Sequence, residues 1–132
     1  MVQAGTEYRP DNTFSIFEGH HFLSLTTYRK SGEAVATPVW FAQVDNRLYV
    51  MTMLASGKAK RIMNTSRVTI APCDRTGTLL GPSMEAVAHL VSEDGRSAAD
   101  DAITTKYSEM KKGFDAQLKD PNDRAFIVIT AV

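Results

Sequence analysis

With a single cysteine, Cys73, the chain cannot close an internal disulfide, which excludes a disulfide-stapled scaffold. Net charge is missing as well. Fifteen Lys and Arg are balanced by fifteen Asp and Glu, so the broad positive field of a general nucleic-acid or anionic-membrane binder is absent. No apolar run approaches the ~20 residues of a membrane span. The N-terminal stretch MVQAGTEYRPDN lacks the basic-then-apolar order of a signal peptide. These absences predict a cytoplasmic protein with neither a nucleic-acid nor a membrane partner, in which any anion site is local. No G-x-S-x-G, Walker loop or G-x-G-x-x-G occurs, so serine hydrolysis, P-loop phosphoryl transfer and a Rossmann site have no local support. No internal repeat, low-complexity tract or linker is found.

What is present is one domain's worth of core: 132 residues, of which 43% are hydrophobic. Asn12 to Glu18 reads as a short helix, with Ser15 and Glu18 at S-x-x-E spacing and Phe14 and Phe17 on one side. From His21 the period changes to two. HFLSLTTY, VATPVWFAQV and RLYVMTM are rich in β-branched and aromatic residues and are separated by KSGE and DN, which predicts a three-strand meander. Gly57 to Asn64 reads as a helix, Arg67 to Cys73 and SMEAVAHLVSE as strands, and RAFIVITAV as a final buried strand. Ala99, Ile103, Tyr107 and Met110 repeat at helical spacing, so Ser97 to Lys112 is the longest expected helix, with Ser97 and Asp100 as a capping box and Gly113 as the stop. The sum is a mainly β (α+β) chain: a six-stranded antiparallel β-barrel decorated by short helices.

Strand two is apolar on both faces, with Val35, Val39 and Phe41 on one side and Ala36, Pro38, Trp40, Ala42 and Val44 on the other. Both faces need cover. In so short a chain a second copy is expected to supply one of them, predicting a homodimer.

Two clusters point to chemistry. Ser56-Gly57-Lys58-Ala59-Lys60-Arg61 combines a hydroxyl, a glycine and three cations at the start of a helix. Free N–H groups there point at an incoming anion, Gly57 allows close approach, and Lys58 and Arg61 share a face, which suits a phosphate. The same K-x-K-R run also reads as a solvated helix face. Thr37-Pro38-Val39-Trp40 lies inside a strand, where a proline has no N–H for the ladder and marks an edge, a bulge or an opening in which a flat ligand could lie. Trp40 equally suits a core or dimer contact. Cys73, in the apolar run VTIAPC, reads as a buried side chain rather than a nucleophile. His20 and His21 diverge on a strand and make no metal pair, and the Glu85/His89 spacing is weak support for catalysis.

The stretches LSLTTYRKSGEAVATPVWFAQVDNRLYVMT, SGKAKRI, RVTIAPCDRTG and GPSMEAVAHLV resemble the pyridoxamine 5'-phosphate oxidase-like superfamily of flavin-binding split barrels, over Phe22 to Leu90. Within it the chain looks most like the short deazaflavin (coenzyme F420)-dependent oxidoreductases, in which T-P-V-W-F and S-G-K-x-K-R recur together. The resemblance implies a single split-barrel domain over 1–132, paired protomers, and cofactor sites at their interface. It implies that Thr37, Pro38, Val39 and Trp40 border the flavin-like ring. Thr52, Ser56, Gly57 and Lys58 would hold the phosphate end, Lys60 and Arg61 would lie beside it or reach a polyglutamate tail, and Cys73 and Arg75 would lie near the ring or tail. Strand two lacks the arginine and lysine of the flavin mononucleotide (FMN) oxidases, having Ala36 and Phe41 instead, which favours deazaflavin over FMN. The expected activity is hydride transfer between deazaflavin and a small unsaturated organic acceptor. The alternatives are an FMN oxidase or reductase, or a non-enzymatic flavin- or haem-binding protein.

Overall fold

The computed structural model of the protein describes residues 10–53, 56–116 and 124–132. Six strands form the barrel: β1 (Phe22–Tyr28), β2 (Ala34–Val44), β3 (Arg47–Met53), β4 (Arg67–Cys73), β5 (Met84–Leu90) and β6 (Arg124–Ala131). They close in the order β1-β2-β3-β6-β5-β4, and every pairing, including β1 with β4, is antiparallel. The expected meander is the first part of this order. The tight β2–β3 connection is made by Asp45, which adopts a left-handed φ of 54°, a conformation that Asp tolerates better than most side chains.

Alternation sorts the side chains. Leu23, Leu25, Val39, Phe41, Leu48, Val50, Val68, Ile70, Ala86, Ala88, Ile127 and Ile129 fill the barrel interior together with Phe14, Phe17 and Ile62. The two phenylalanines come from a 3₁₀ helix, Pro10–Phe17, and Phe17 meets Phe41 edge-on at 5.7 Å. This helix starts earlier than the S-x-x-E spacing implied, because Pro10 with its fixed φ suits a first helical position and Ser15 falls inside the element. Helix α1 (Gly57–Asn64) buries Ala59 and Ile62 against the barrel.

The longest helix, α2 (Arg96–Ala116), corrects two expectations. It follows directly on a 3₁₀ turn, Glu93–Gly95, so Ser97 lies inside the first turn and caps nothing. It also runs through Gly113, since a glycine weakens a helix by only about 1 kcal/mol and does not by itself end one. Ala99, Ile103 and Tyr107 pack on the outer side chains Ala42, Tyr49, Met51 and Phe126. Part of the second apolar face is therefore covered by the chain itself. Ala34, Ala36 and Pro38, further back on β2, stay exposed.

Candidate functional site

Strands β2 and β3 pair over only four registers, from Val44↔Arg47 to Phe41↔Val50. Beyond that point each strand keeps its other neighbour, β2 pairing with β1 as far as Ala34 and β3 with β6 as far as Met53. The barrel wall is thus split. Pro38 stands in the parted length of β2, where its missing N–H costs no ladder bond to β3. A hollow of about 240 Å³ occupies the split, lined by Phe22, Pro38, Val39, Trp40, Met51, Thr52, Met53 and Lys58.

One side of the split is bounded by an aromatic stack. The Trp40 ring lies 5.0 Å from Tyr107 at an interplanar angle of 9°. The Tyr107 hydroxyl accepts from the Phe41 N–H at 3.2 Å and stands within donating distance of the carbonyls of His21 and Phe41, which share its single proton. Burial pushes this hydroxyl up to about 12, so it remains a phenol and not a phenolate. The backbone of α2 leaves helical geometry at Tyr107 (φ −125°, ψ 30°).

The other side is the N-terminus of α1. Ser56 is its cap: the hydroxyl accepts from the Ala59 N–H at 3.2 Å and from the Thr52 hydroxyl at 3.4 Å. The N–H groups of Gly57 and Lys58 have no acceptor among the described residues. Arg61 folds back over this turn, its Nε donating to Thr27 Oγ1 at 2.6 Å. A Cβ on Gly57 would stand 2.7 Å from Arg61 Nη1, so glycine is what lets the guanidinium rest there. Lys58 is half-buried, and that burial, followed by the positive charge of Arg61, lowers its pKa. Among the described residues no carboxylate pairs with either cation.

Pro38, Val39, Trp40 and Thr52, from the strands, and Lys58, from α1, therefore line one opening, while Ser56, Gly57 and Arg61 lie beside Lys58 at the start of α1 and Thr37 precedes Pro38 on β2. Thr37 Oγ1 is enclosed yet has no hydrogen-bond partner among the described residues. Lys60 is exposed and lines neither this hollow nor its neighbour. Cys73 is buried opposite Phe22, and burial followed by the charge of Asp74 raises its pKa, which keeps it a thiol at neutral pH. Arg75 lies in a second hollow of about 430 Å³, with His21, Phe22 and Trp40. His89 is exposed on β5 and lines none of these hollows, while Glu85 is engaged by Arg67 at 3.1 Å. No group of metal-ligating side chains occurs among the described residues.

Phe22, His21, Met51, Met53 and Tyr107 are the contributors that pattern alone did not single out as site residues. Phe22 was legible in principle, since it heads β1 directly across from Trp40. Tyr107 stood in a helical apolar stripe, which reports packing and not which ring it meets.

The sequence profile of the family described as pyridoxamine 5'-phosphate oxidase matches residues 10–132. The heme storage protein HutZ from Vibrio cholerae superposes with a TM-score of 0.69 at 16% identity, covering 95% of this chain and 92% of that one. A conserved hypothetical protein from Mycobacterium tuberculosis superposes with a TM-score of 0.67 at 24% identity, covering 89% and 76%. An FAD-binding protein from Mesorhizobium loti superposes with a TM-score of 0.65 at 16% identity, covering 90% and 86%. At such identities these likenesses concern the fold. A search of curated proteins returned no match.

Proposed function

We propose that this chain, which belongs to the pyridoxamine 5'-phosphate oxidase family, is a cytoplasmic deazaflavin (coenzyme F420)-dependent oxidoreductase that reduces an unsaturated organic acceptor. The observation that carries it is the pair Lys58 and Arg61: two neighbouring cations that, among the described residues, have no carboxylate partner, beside two N–H groups at a helix start with no acceptor among those residues. Such a place is short of one anion. Lys58, Arg61 and the Gly57 and Lys58 amides would hold a phosphate, with Ser56 and Thr52 fixing the turn. The parted strands, Thr37 Oγ1 and the Trp40 ring fit the planar end of a flavin-like group. When bound, that group supplies the hydride.

The chain's own part is orientation and exclusion of water. Pro38, Val39, Met51 and Met53 make an apolar slot, and Trp40, pinned by Tyr107, gives it a rigid wall. Support for deazaflavin over FMN comes from β2, where Ala36 is exposed and Phe41 fills the core, so neither position offers a cation. FMN in the same split is the second reading, favoured by the family itself. A protein that binds haem without turnover is a third, drawn from the likeness to HutZ.

We further propose a homodimer. Exposed Ala34, Ala36 and Pro38 lie on the outer barrel face, and Leu79 and Leu80, 51% and 55% exposed, add apolar surface in the loop that follows β4.

Fluorescence titration with oxidised coenzyme F420 and, separately, with FMN tests the assignment. Tighter deazaflavin binding is expected, and Lys58→Ala is expected to weaken it by about tenfold to a hundredfold with little change in melting temperature. Unchanged affinity in Lys58→Ala would remove this cluster from the site. A monomer in sedimentation of the same sample would overturn the dimer.

A further inference from the structure

The second hollow has a chemistry of its own. It shares Phe22 and Trp40 with the split, so the two spaces meet across one pair of rings, and it adds His21 and Arg75. Its volume of about 430 Å³ is enough for a small conjugated ring system. Trp40 is a flat wall that cannot readily swing away, because Tyr107 is stacked on it and Tyr107 is itself tied to His21 and Phe41. The His21 ring meets Tyr107 edge-on at 6.5 Å.

The charge in this hollow is uncompensated. Arg75 is exposed and makes no ion pair among the described residues. Its sequence neighbour Asp74 is the obvious partner, but the two make no ion pair among the described residues, and one carboxylate oxygen of Asp74 is taken by its own turn. Asp74 Oδ1 accepts from the Thr76 N–H at 2.9 Å, the Thr76 hydroxyl at 2.7 Å and the Thr78 N–H at 3.0 Å. Gly77, at φ 97°, closes the turn by donating to the Asp74 carbonyl at 3.0 Å. The turn therefore holds Arg75 on a self-bonded support and leaves its guanidinium for an outside anion. No carboxylate of the described residues lines the hollow.

We infer that the hollow of His21, Phe22, Trp40 and Arg75 is a subsite for a planar, conjugated anion, stacked on the aromatic walls with its carboxylate on Arg75. On the reading above, on which this identification rests, that ligand is the acceptor: an unsaturated carboxylate held against the rings that also border the cofactor slot. An uncharged acceptor of the same shape is discriminated against by the loss of the guanidinium contact.

The test needs no turnover. Trp40 is the only tryptophan and borders both hollows, so its emission is read with the slot already saturated by cofactor as well as without. The purified full chain is titrated with 4-nitrobenzoate and with its neutral analogue 4-nitrobenzamide, with and without saturating cofactor. The acid is expected to bind about tenfold tighter than the amide, and Arg75→Gln is expected to abolish that preference. Arg75 is exposed, so the variant is expected to fold normally. Equal affinity for acid and amide, a preference that survives in Arg75→Gln, or no quenching at all would overturn the subsite. Competition of the acid with inorganic phosphate that vanishes in Lys58→Ala would also overturn it, by placing the anion on the helix instead, and would leave the cofactor reading intact. Retained acid preference in a protein that binds neither cofactor would sustain the subsite and sink the cofactor reading.

Discussion

The same two strands, β2 and β3, behave in opposite ways along their length. From Phe41 to Val44 and from Arg47 to Val50 they pair, bury Phe41, Leu48 and Val50 inside, and are covered outside by α2. From Pro38 to Trp40 and from Met51 to Met53 they part, and the space between them is the slot. Both lengths are apolar, so hydrophobicity does not separate structure from site here. What separates them is the ladder: the closed length is paired between β2 and β3, whereas the open length has a proline without an N–H and each strand keeps only its outer neighbour.

The largest expected effect sharpens that contrast. Phe41 is 1% exposed and touches Phe17 and the Lys106 ammonium. Phe41→Ala is expected to cost about 3–5 kcal/mol, as for large buried aromatics. Pro38→Ala, three positions back on the same strand and exposed, is expected to cost below about 1 kcal/mol, mostly through the unfolded chain. Urea melts of the two variants decide it: similar losses would mean that the open length is as structural as the closed one.

A smaller effect tests whether the two lengths are independent. Tyr107→Phe keeps the ring on Trp40 but removes the hydroxyl from Phe41 and His21, leaving buried backbone groups unpaired. We expect a loss of about 1–3 kcal/mol with unchanged Trp40 emission. A shifted emission would show that the hydroxyl, and not the stack, sets the position of Trp40, and that the site depends on the closed length.

These two residues also show what was legible in advance. The strands were, because alternation with β-branched residues leaves little choice of period, and the slot was in part, because Pro38 interrupts a strand that otherwise reads as continuous. The cation cluster at the start of α1 was legible because Ser56, Gly57, Lys58 and Arg61 are local in sequence, and one helical turn brings them together. Tyr107 was not, because its bonds to Phe41 span 66 residues and depend on how α2 lies across the barrel. The cover that α2 gives to Ala42, Tyr49 and Met51 was missed for the same reason, and a second copy was expected to cover a face that the chain partly covers itself. The start and end of α2 were misplaced because Ser97-x-x-Asp100 spacing cannot show that a 3₁₀ turn already precedes it.

The smallest effect concerns the charge that closes the covered length. Lys106 Nζ sits 3.5 Å from the Phe41 ring centroid and donates to the His20 carbonyl at 2.7 Å, and burial lowers its pKa to about 8. The folded value lies below the unfolded one of about 10.4. Between about pH 8 and 10.4 the unfolded chain therefore holds more protons, and stability from this group rises with pH across that window. Below it, the cost of keeping an ammonium in this place is fully present. Lys106 is only partly enclosed, so screening limits the effect to about 1 kcal/mol or less. Melting temperatures of wild type and Lys106→Met between pH 7 and 10 isolate the term, because other titrating groups cancel in the difference. Wild type is expected to gain on the variant as pH rises. A constant gap would mean that Lys106 stays protonated throughout, its ammonium held by Phe41 and His20 more strongly than burial opposes it, and that the closed length is fastened by charge as well as by packing.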